Sequence, residues 1–158
     1  MIKDNFMTTE VKIDYKSIPI VIAEDDEDDY ILAVEALKEA GVGNNITWIK
    51  DGEELMNLLK QGGPENEDGP RIQPGLILLD LNMPKKDGRE ALQEIKGDLN
   101  LRKIPVVIWT TSKADFDITN SYDLGVNSFI QKPVRFSEFV QAIKVFSHYW
   151  FNTVSLPR

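Results

Sequence analysis

The chain has 158 residues, enough for one domain with a substantial core and too few for a second full domain beside it. Eighteen basic residues against 26 acidic ones give a formal net charge of −8, which argues against a nucleic-acid partner, because holding a phosphate backbone needs a basic face. The lack of cysteine excludes disulfide staples, thiolate metal sites and cysteine nucleophiles, and without a signal-like or membrane-spanning apolar stretch the expected location is cytoplasmic.

Residues 1–17 are polar, mixed and without a clear period, and read as an N-terminal arm in which Val11-Lys12-Ile13-Asp14-Tyr15 alternates like a minor edge strand. From Ile18 onward strand-like and helix-like patterns alternate, the signature of βαβ units and a parallel sheet. A first strand is predicted over 18–23, followed by six consecutive acids, Glu24 to Asp29. Asp26 is placed to cap a helix over 28–40 that Gly41 closes, and Glu27, Asp28 and Asp29 read as solvated acids at the positive end of its dipole. Strand two is predicted over 45–50 and helix two over 52–61, and the Gly/Pro-rich, charged stretch 62–70 reads as a surface loop. Strand three, 75–79, runs into Asp80; helix three covers 87–97 and strand four 105–109. Ser112 is placed to cap helix four over 113–124, before Gly125. Strand five is 127–131 and helix five 135–150, so that one domain spans 18–150 and a tail follows over 151–158.

Four apolar runs stop at polar groups: at Glu24-Asp25, at Asp80, at Thr110 and at Lys132. A short apolar run bounded by turn signals reads as a buried parallel strand, and ligands of open α/β sheets bind where the carboxyl ends of such strands meet. Three carboxylates, a hydroxyl and an ammonium converge there. Packed carboxylates repel one another unless a cation is present, and an oxygen-only donor set points to a hard cation such as Mg²⁺. A carboxylate beside a divalent cation and a lysine is equipped to attack phosphorus and form an acyl phosphate.

Alone, each residue has an ordinary reading. Asp80 could start an Asx turn, and Thr110 and Thr111 could be mere strand formers, of which only one, Thr110 by its position, can face the sheet edge. Lys132 differs from a common surface lysine in being followed by Pro133, which can fix a turn that aims it. His148 is the sole histidine and reads as a surface or packing residue.

Together these residues resemble the receiver domain of bacterial two-component response regulators over about 18–147. The motifs that carry the resemblance are Glu24-Asp25, Asp80, Asn82-Met83-Pro84 with Gly88, Thr110, Phe129 and Lys132-Pro133. The fold it implies is flavodoxin-like: a doubly wound five-stranded parallel sheet in the order 2-1-3-4-5, helices on both faces, with the site between strands one and three. By the same resemblance Asp80 is the phosphoacceptor, and Glu24, Asp25, Asp80 and the Asn82 backbone carbonyl hold Mg²⁺, Glu24 through a water. Thr110 is the switch hydroxyl, Phe129 the rotameric aromatic, and Lys132 reaches the phosphoryl group across a cis Lys132-Pro133 bond. Asn82 and Ser112 flank the water that removes the phosphoryl group, and as neither is a general base its loss is expected to be slow or moderate.

Two positions depart from the usual receiver pattern. Thr111 stands where Ala or Gly is common, and its bulk is expected to slow hydrolysis further; Trp109 stands where smaller aliphatics are common.

More narrowly, Leu79-Asp80-Leu81-Asn82-Met83-Pro84-Lys85-Lys86-Asp87-Gly88-Arg89-Glu90, Thr110-Thr111-Ser112-Lys113-Ala114 and the aromatic stretch 146–151 resemble single-domain regulators of cyanobacterial-type phytochrome kinases. That implies a histidine kinase partner of the phytochrome type and an effect passed on to a downstream protein target or phosphorelay protein. The protein is then a signalling phosphoacceptor, not an enzyme beyond self-catalysed phosphotransfer and slow autodephosphorylation.

Three other classes stand beside this reading. A phosphohydrolase of the haloacid dehalogenase type resembles Asp-x-Asp, whereas Asn82 holds the second position here. A nucleotide- or flavin-binding protein needs a phosphate loop after strand one, where six acids stand. A phosphorylation-independent scaffold follows if Trp109 and Thr111 disable transfer. Finally, helix five carries more apolar surface than a core-facing stripe needs, and Phe146, Tyr149 and Trp150, with helix four and strand five, are expected to form a homodimer contact; the alternative is that the tail covers them.

Overall fold

A computed structural model of the protein describes residues 18–43, 45–61, 74–112 and 114–148. The N-terminal arm with its alternating segment, the loop reading over 62–70, and Tyr149, Trp150 and the tail lie outside these residues. Five strands, β1 (Ile20–Ala23), β2 (Ile46–Ile49), β3 (Leu76–Leu79), β4 (Val106–Thr110) and β5 (Ser128–Gln131), alternate with five helices. The helices are α1 (Glu27–Glu39), α2 (Gly52–Gln61), α3 (Gly88–Gly97), α4 (Asp115–Asp123) and α5 (Phe136–His148). All four strand pairings are parallel and the order is β2-β1-β3-β4-β5, as the resemblance implies.

The strands have an apolar side chain on both faces, and the period of two divides them between two cores. Val21, Ala23, Ile77, Leu79, Val106 and Ile108 pack with Leu55, Met56 and Leu59 of α2 and Ala91, Leu92 and Ile95 of α3. Ile20, Ile22, Leu76, Leu78, Val107 and Trp109 pack on the other face with Ala33, Ala36 and Leu37 of α1 and Phe139, Val140, Ile143 and Phe146 of α5. Burying a side chain of this size contributes about 1.5–3 kcal/mol, so β1, β3 and β4, buried along their whole lengths, are the best-anchored strands.

Register fixes the site. Ala23 pairs with Leu79, so Glu24 and Asp80 leave the sheet side by side. Thr110 pairs with Gln131, so Lys132 follows on the next strand over. Asp26 caps α1 by accepting from the Asp29 amide at 3.0 Å. Ser112 does not cap α4: the capping position is Ala114, and the Ser112 hydroxyl bonds Asp117 Oδ2 at 2.5 Å instead.

The helix-five reading needs correction. At 100° per residue, Phe146 lies close to Phe139 on the core side of α5 and is buried with it, so it is no exposed anchor. Among the described side chains, the exposed large apolar ones on α4 and α5 are Tyr122, Phe136 and Val145.

The loop after β3 folds tightly over its own strand. A Cβ on Gly88 would stand 2.2 Å from the Asp80 carbonyl oxygen, whereas one on Gly97, at the other end of the same helix, meets nothing within 4 Å. Gly88→Ala should therefore destabilise by about 1–3 kcal/mol through overpacking, and Gly97→Ala should be neutral or stabilise by up to about 1 kcal/mol. Urea denaturation of the two variants checks this, and a Gly88→Ala protein as stable as the wild type would contradict it.

Candidate functional site

The carboxyl end of the sheet gathers three carboxylates around one ammonium, with a fourth, that of Asp25, beside them. Lys132 Nζ bonds Glu24 Oε1, Asp29 Oδ2 at 2.9 Å and Asp80 Oδ2 at 3.3 Å. Carboxylate oxygens of Glu24, Asp25 and Asp80 all lie within 4.8 Å of one another. Asp80 is buried; its Oδ1 accepts from the Thr110 hydroxyl at 2.7 Å and from the Asn82 amide N–H at 3.0 Å. The turn reading and the site reading of Asp80 thus hold together: one oxygen shapes the loop and the other faces Lys132.

Burial, reinforced by the charge of Asp80, pushes the Glu24 carboxyl up from 4.5 to about 8, against the hydrogen bond from Lys132. Burial pulls the Lys132 ammonium down, but its hydrogen bonds to Asp29 and Glu24 and the charge of Asp80 outweigh that and raise it. A lysine so surrounded stays charged and still leaves the cluster negative. The donor set, all oxygen and more acidic than its one lysine can offset, fits a hard divalent cation such as Mg²⁺ at Glu24, Asp25 and Asp80.

Lys132-Pro133 is cis. The Lys132 ammonium lies 4.5 Å from the centre of the Trp109 ring, which in turn tilts against Phe139 at 4.6 Å. The bulk of Trp109 is thus absorbed on the α5 side, where a cation over the ring face adds attraction. Thr110 is fully buried and Thr111 is exposed. Phe129 is half-buried on β5, and its amide donates to the Tyr122 hydroxyl at 3.2 Å. His148 is exposed, at the end of α5.

Four residues of this arrangement escape a reading of strand ends. Asp29, read as a solvated acid, is a partner of Lys132; it is the third residue of α1, where side chains lean back toward the helix start. Trp48 donates from Nε1 to the Glu24 carbonyl at 2.7 Å and stacks on Tyr30, with ring centres 4.0 Å apart. Arg89 and Asp117 form a two-bond pair, Nε to Oδ1 at 2.7 Å and Nη2 to Oδ2 at 2.6 Å, across α3 and α4. The one available signal was electrostatic: a cation in the first turn of a helix opposes the dipole and calls for an anionic partner.

The sequence model of the family described as the response regulator receiver domain matches residues 20–144. The chain belongs to that family. It is 41% identical over 138 residues to response regulator Rcp1 of Synechocystis sp. (strain ATCC 27184 / PCC 6803 / Kazusa), covering 87% of this chain and 92% of that protein. Among solved structures, the phosphorylated cyanobacterial phytochrome response regulator RcpA matches with a TM-score of 0.74 and 42% identity over 89% of this chain and 99% of that one. The Mn²⁺-bound form of Rcp1 matches with a TM-score of 0.73 and 40% identity over the same shares. As a receiver the protein is a phosphoacceptor of two-component signalling with a histidine kinase as partner. Among the described residues no helix is long and apolar enough to cross a membrane.

The Arg89 hydrogen bond holds the Asp117 carboxyl below its usual 3.8. A carboxyl lowered by folding adds stability that is fully present above its unfolded value and is lost as pH falls through the folded one. The gap in unfolding free energy between the wild type and Asp117→Asn should therefore be flat near neutrality and narrow only below pH about 4. Urea denaturation across pH measures it, and a gap that stays constant into the acid limb would show that Asp117 is not stabilised by its charge.

Proposed function

We propose that Asp80 accepts a phosphoryl group from the phosphohistidine of a phytochrome-type histidine kinase, with Mg²⁺ held by Glu24, Asp25, Asp80 and the Asn82 backbone carbonyl. The observation that carries this is the double engagement of the buried Asp80 carboxylate, by the Thr110 hydroxyl on Oδ1 and the Lys132 ammonium on Oδ2. A carboxylate so oriented presents Oδ2 toward the metal-ligand cluster, where the incoming phosphorus must arrive. In the transfer the P–N bond to the donor imidazole breaks as a P–O bond to Asp80 forms, and the imidazole keeps the electron pair. When bound, Mg²⁺ supplies charge neutralisation for the phosphoryl oxygens. Lys132 contributes the same from the other side, and Thr110 supplies a hydroxyl that can follow the new oxygens. The kinase type rests on the similarity to Rcp1 and to RcpA, the latter described as a cyanobacterial phytochrome response regulator.

Phosphorylation replaces the single charge of the Asp80 carboxylate with about two on the phosphoryl oxygens, where the cluster is already acidic, and we take the readout to run through Thr110 and half-buried Phe129 to the surface of α4, β5 and α5. Tyr122, Phe136 and Val145 leave large apolar side chains exposed on α4 and α5, which favours a second copy of the chain or a downstream protein there. Autodephosphorylation then resets the site. Thr111, exposed beside Thr110, should slow it by crowding the water.

Incubation with Mg²⁺ and acetyl phosphate, followed by intact mass, tests the acceptor: the wild type should gain one labile phosphate and Asp80→Asn none. Retention by Asp80→Asn would move the acceptor elsewhere, and no uptake by the wild type would leave a phosphorylation-independent scaffold. Once phosphorylated, Thr111→Ala should lose the group faster than the wild type, and an unchanged decay rate would remove crowding as a factor. For the assembly, sedimentation of the wild type should show a phosphorylation-dependent shift toward dimer that Val145→Glu abolishes; a monomer in both states at high concentration would rule it out.

A further inference from the structure

Two polar side chains beside Asp80 are tied to one ion pair, Arg89–Asp117. Asn82 donates its amide N–H groups to Thr110 Oγ1 at 3.3 Å and Thr111 Oγ1 at 3.2 Å. Its Oδ1 accepts from Arg89 Nη1 at 3.3 Å and Nη2 at 3.4 Å. A guanidinium only donates, so Arg89 dictates which end of the amide faces the hydroxyls. Ser112 spends its hydroxyl proton on Asp117 Oδ2, and its oxygen accepts from the Ala114 amide at 3.4 Å.

The tight bonds of this network are those at Asp117; the bonds at Asn82 are long. Position is therefore set by the Arg89–Asp117 pair, and Asn82 follows. Asp117 is buried, and Asp87 and the Leu81 carbonyl hold Arg89 Nη1 as well, so the fork is fixed on three sides. The arrangement joins the β3–α3 loop, the start of α3, the β4–α4 loop and α4.

We propose that Arg89 and Asp117 are positioning residues that prolong the life of the phosphoryl group on Asp80 by withholding Asn82 Oδ1 and the Ser112 hydroxyl from the attacking water. This rests on Asp80 as the phosphoacceptor. In hydrolysis the water oxygen bonds to phosphorus, the P–O bond to Asp80 breaks, and the carboxylate leaves with the electron pair. Both water protons remain on the product, dihydrogen phosphate. A side-chain acceptor aimed at the water would order it for attack. Here both lone pairs of Asn82 Oδ1 face Arg89, and the Ser112 hydroxyl is pinned by Asp117 and the Ala114 amide, so its one remaining lone pair is not free to turn toward the water.

The test is the decay of the phosphoryl group after removal of acetyl phosphate, followed by intact mass. Arg89→Met should accelerate it on the order of three- to tenfold, well below the gain a true general base would give. Asp117→Asn, which keeps the shape and weakens the grip, should accelerate it less. In an Asn82→Ala, Ser112→Ala background, Arg89→Met should change the rate no further, a result that general loosening of the fold would not produce. Decay unchanged or slowed in both single variants overturns the proposal, as does the same acceleration in the Asn82→Ala, Ser112→Ala background. If the wild type carries no phosphate on Asp80, the acceptor assignment falls and this falls with it. If Asp80 is phosphorylated and decay is insensitive, only the positioning role falls. Thermal melts of each variant guard against misfolding, and Asp117→Asn keeps the test decisive should Arg89→Met not fold.

Discussion

The excess of negative charge at the carboxyl edge of the sheet governs this molecule. Glu24, Asp29 and Asp80 face a single ammonium with Asp25 beside Glu24 and Asp80, and two carboxylates about 4 Å apart repel by about 4 kcal/mol at the effective dielectric typical of a protein surface. Such a cluster is unstable by itself. It persists because the strands that deliver its members are anchored on both faces, so the backbone cannot spread to relieve the strain. A divalent cation lowers the same repulsion, which is why the site's affinity for metal and its readiness for phosphorus are two aspects of one charge imbalance.

Lys132 is the pivot of that balance. It reaches the cluster from beyond β5, over the face of Trp109, while Phe139 backs the indole from α5. The ammonium therefore has an aromatic neighbour on one side and three carboxylates on the other. Replacing Trp109 by a smaller aliphatic would cost core packing and also loosen the ammonium, so the substitution is tied to the site as much as to the core.

Most of this was legible in the sequence for a simple reason: in a parallel sheet the end of each apolar run marks the same edge. Glu24, Asp80, Thr110 and Lys132 could be placed together without knowing any contact between them. What could not be read lies off the strands. Arg89 and Asp117 are 28 residues apart in the first turns of different helices, and only the tertiary fold makes them neighbours. Ser112 has the composition of a helix cap, yet its hydroxyl proton goes to the buried Asp117 carboxylate and its oxygen accepts from the amide of Ala114, the residue before the helix, and not from an amide of the first turn. The apolar stripe of α5 was read too broadly: Phe146 is core, and the surface residue Val145 lies on the opposite side of the helix, outside that stripe.

The Thr110 hydroxyl connects the charge cluster to the rest of the fold. It has one proton, given to Asp80 Oδ1, and its oxygen accepts from Asn82 Nδ2 at 3.3 Å and the Ser112 amide at 3.5 Å. Re-aiming that proton at a phosphoryl oxygen would rotate the lone pairs away from both donors. Asn82 would then lean on Arg89, and Ser112 on Asp117, which meet at one ion pair. On the far side of α4, the Tyr122 hydroxyl accepts from the Phe129 amide, so a shift of α4 reaches β5 without passing through the core. The core itself is too closely packed to carry a small displacement except by jumping between arrangements. The polar seam around α4 is tight at Asp117 but long at Asn82, Thr110 and Tyr122, and we propose these longer bonds as the compliant path from Asp80 to the surface.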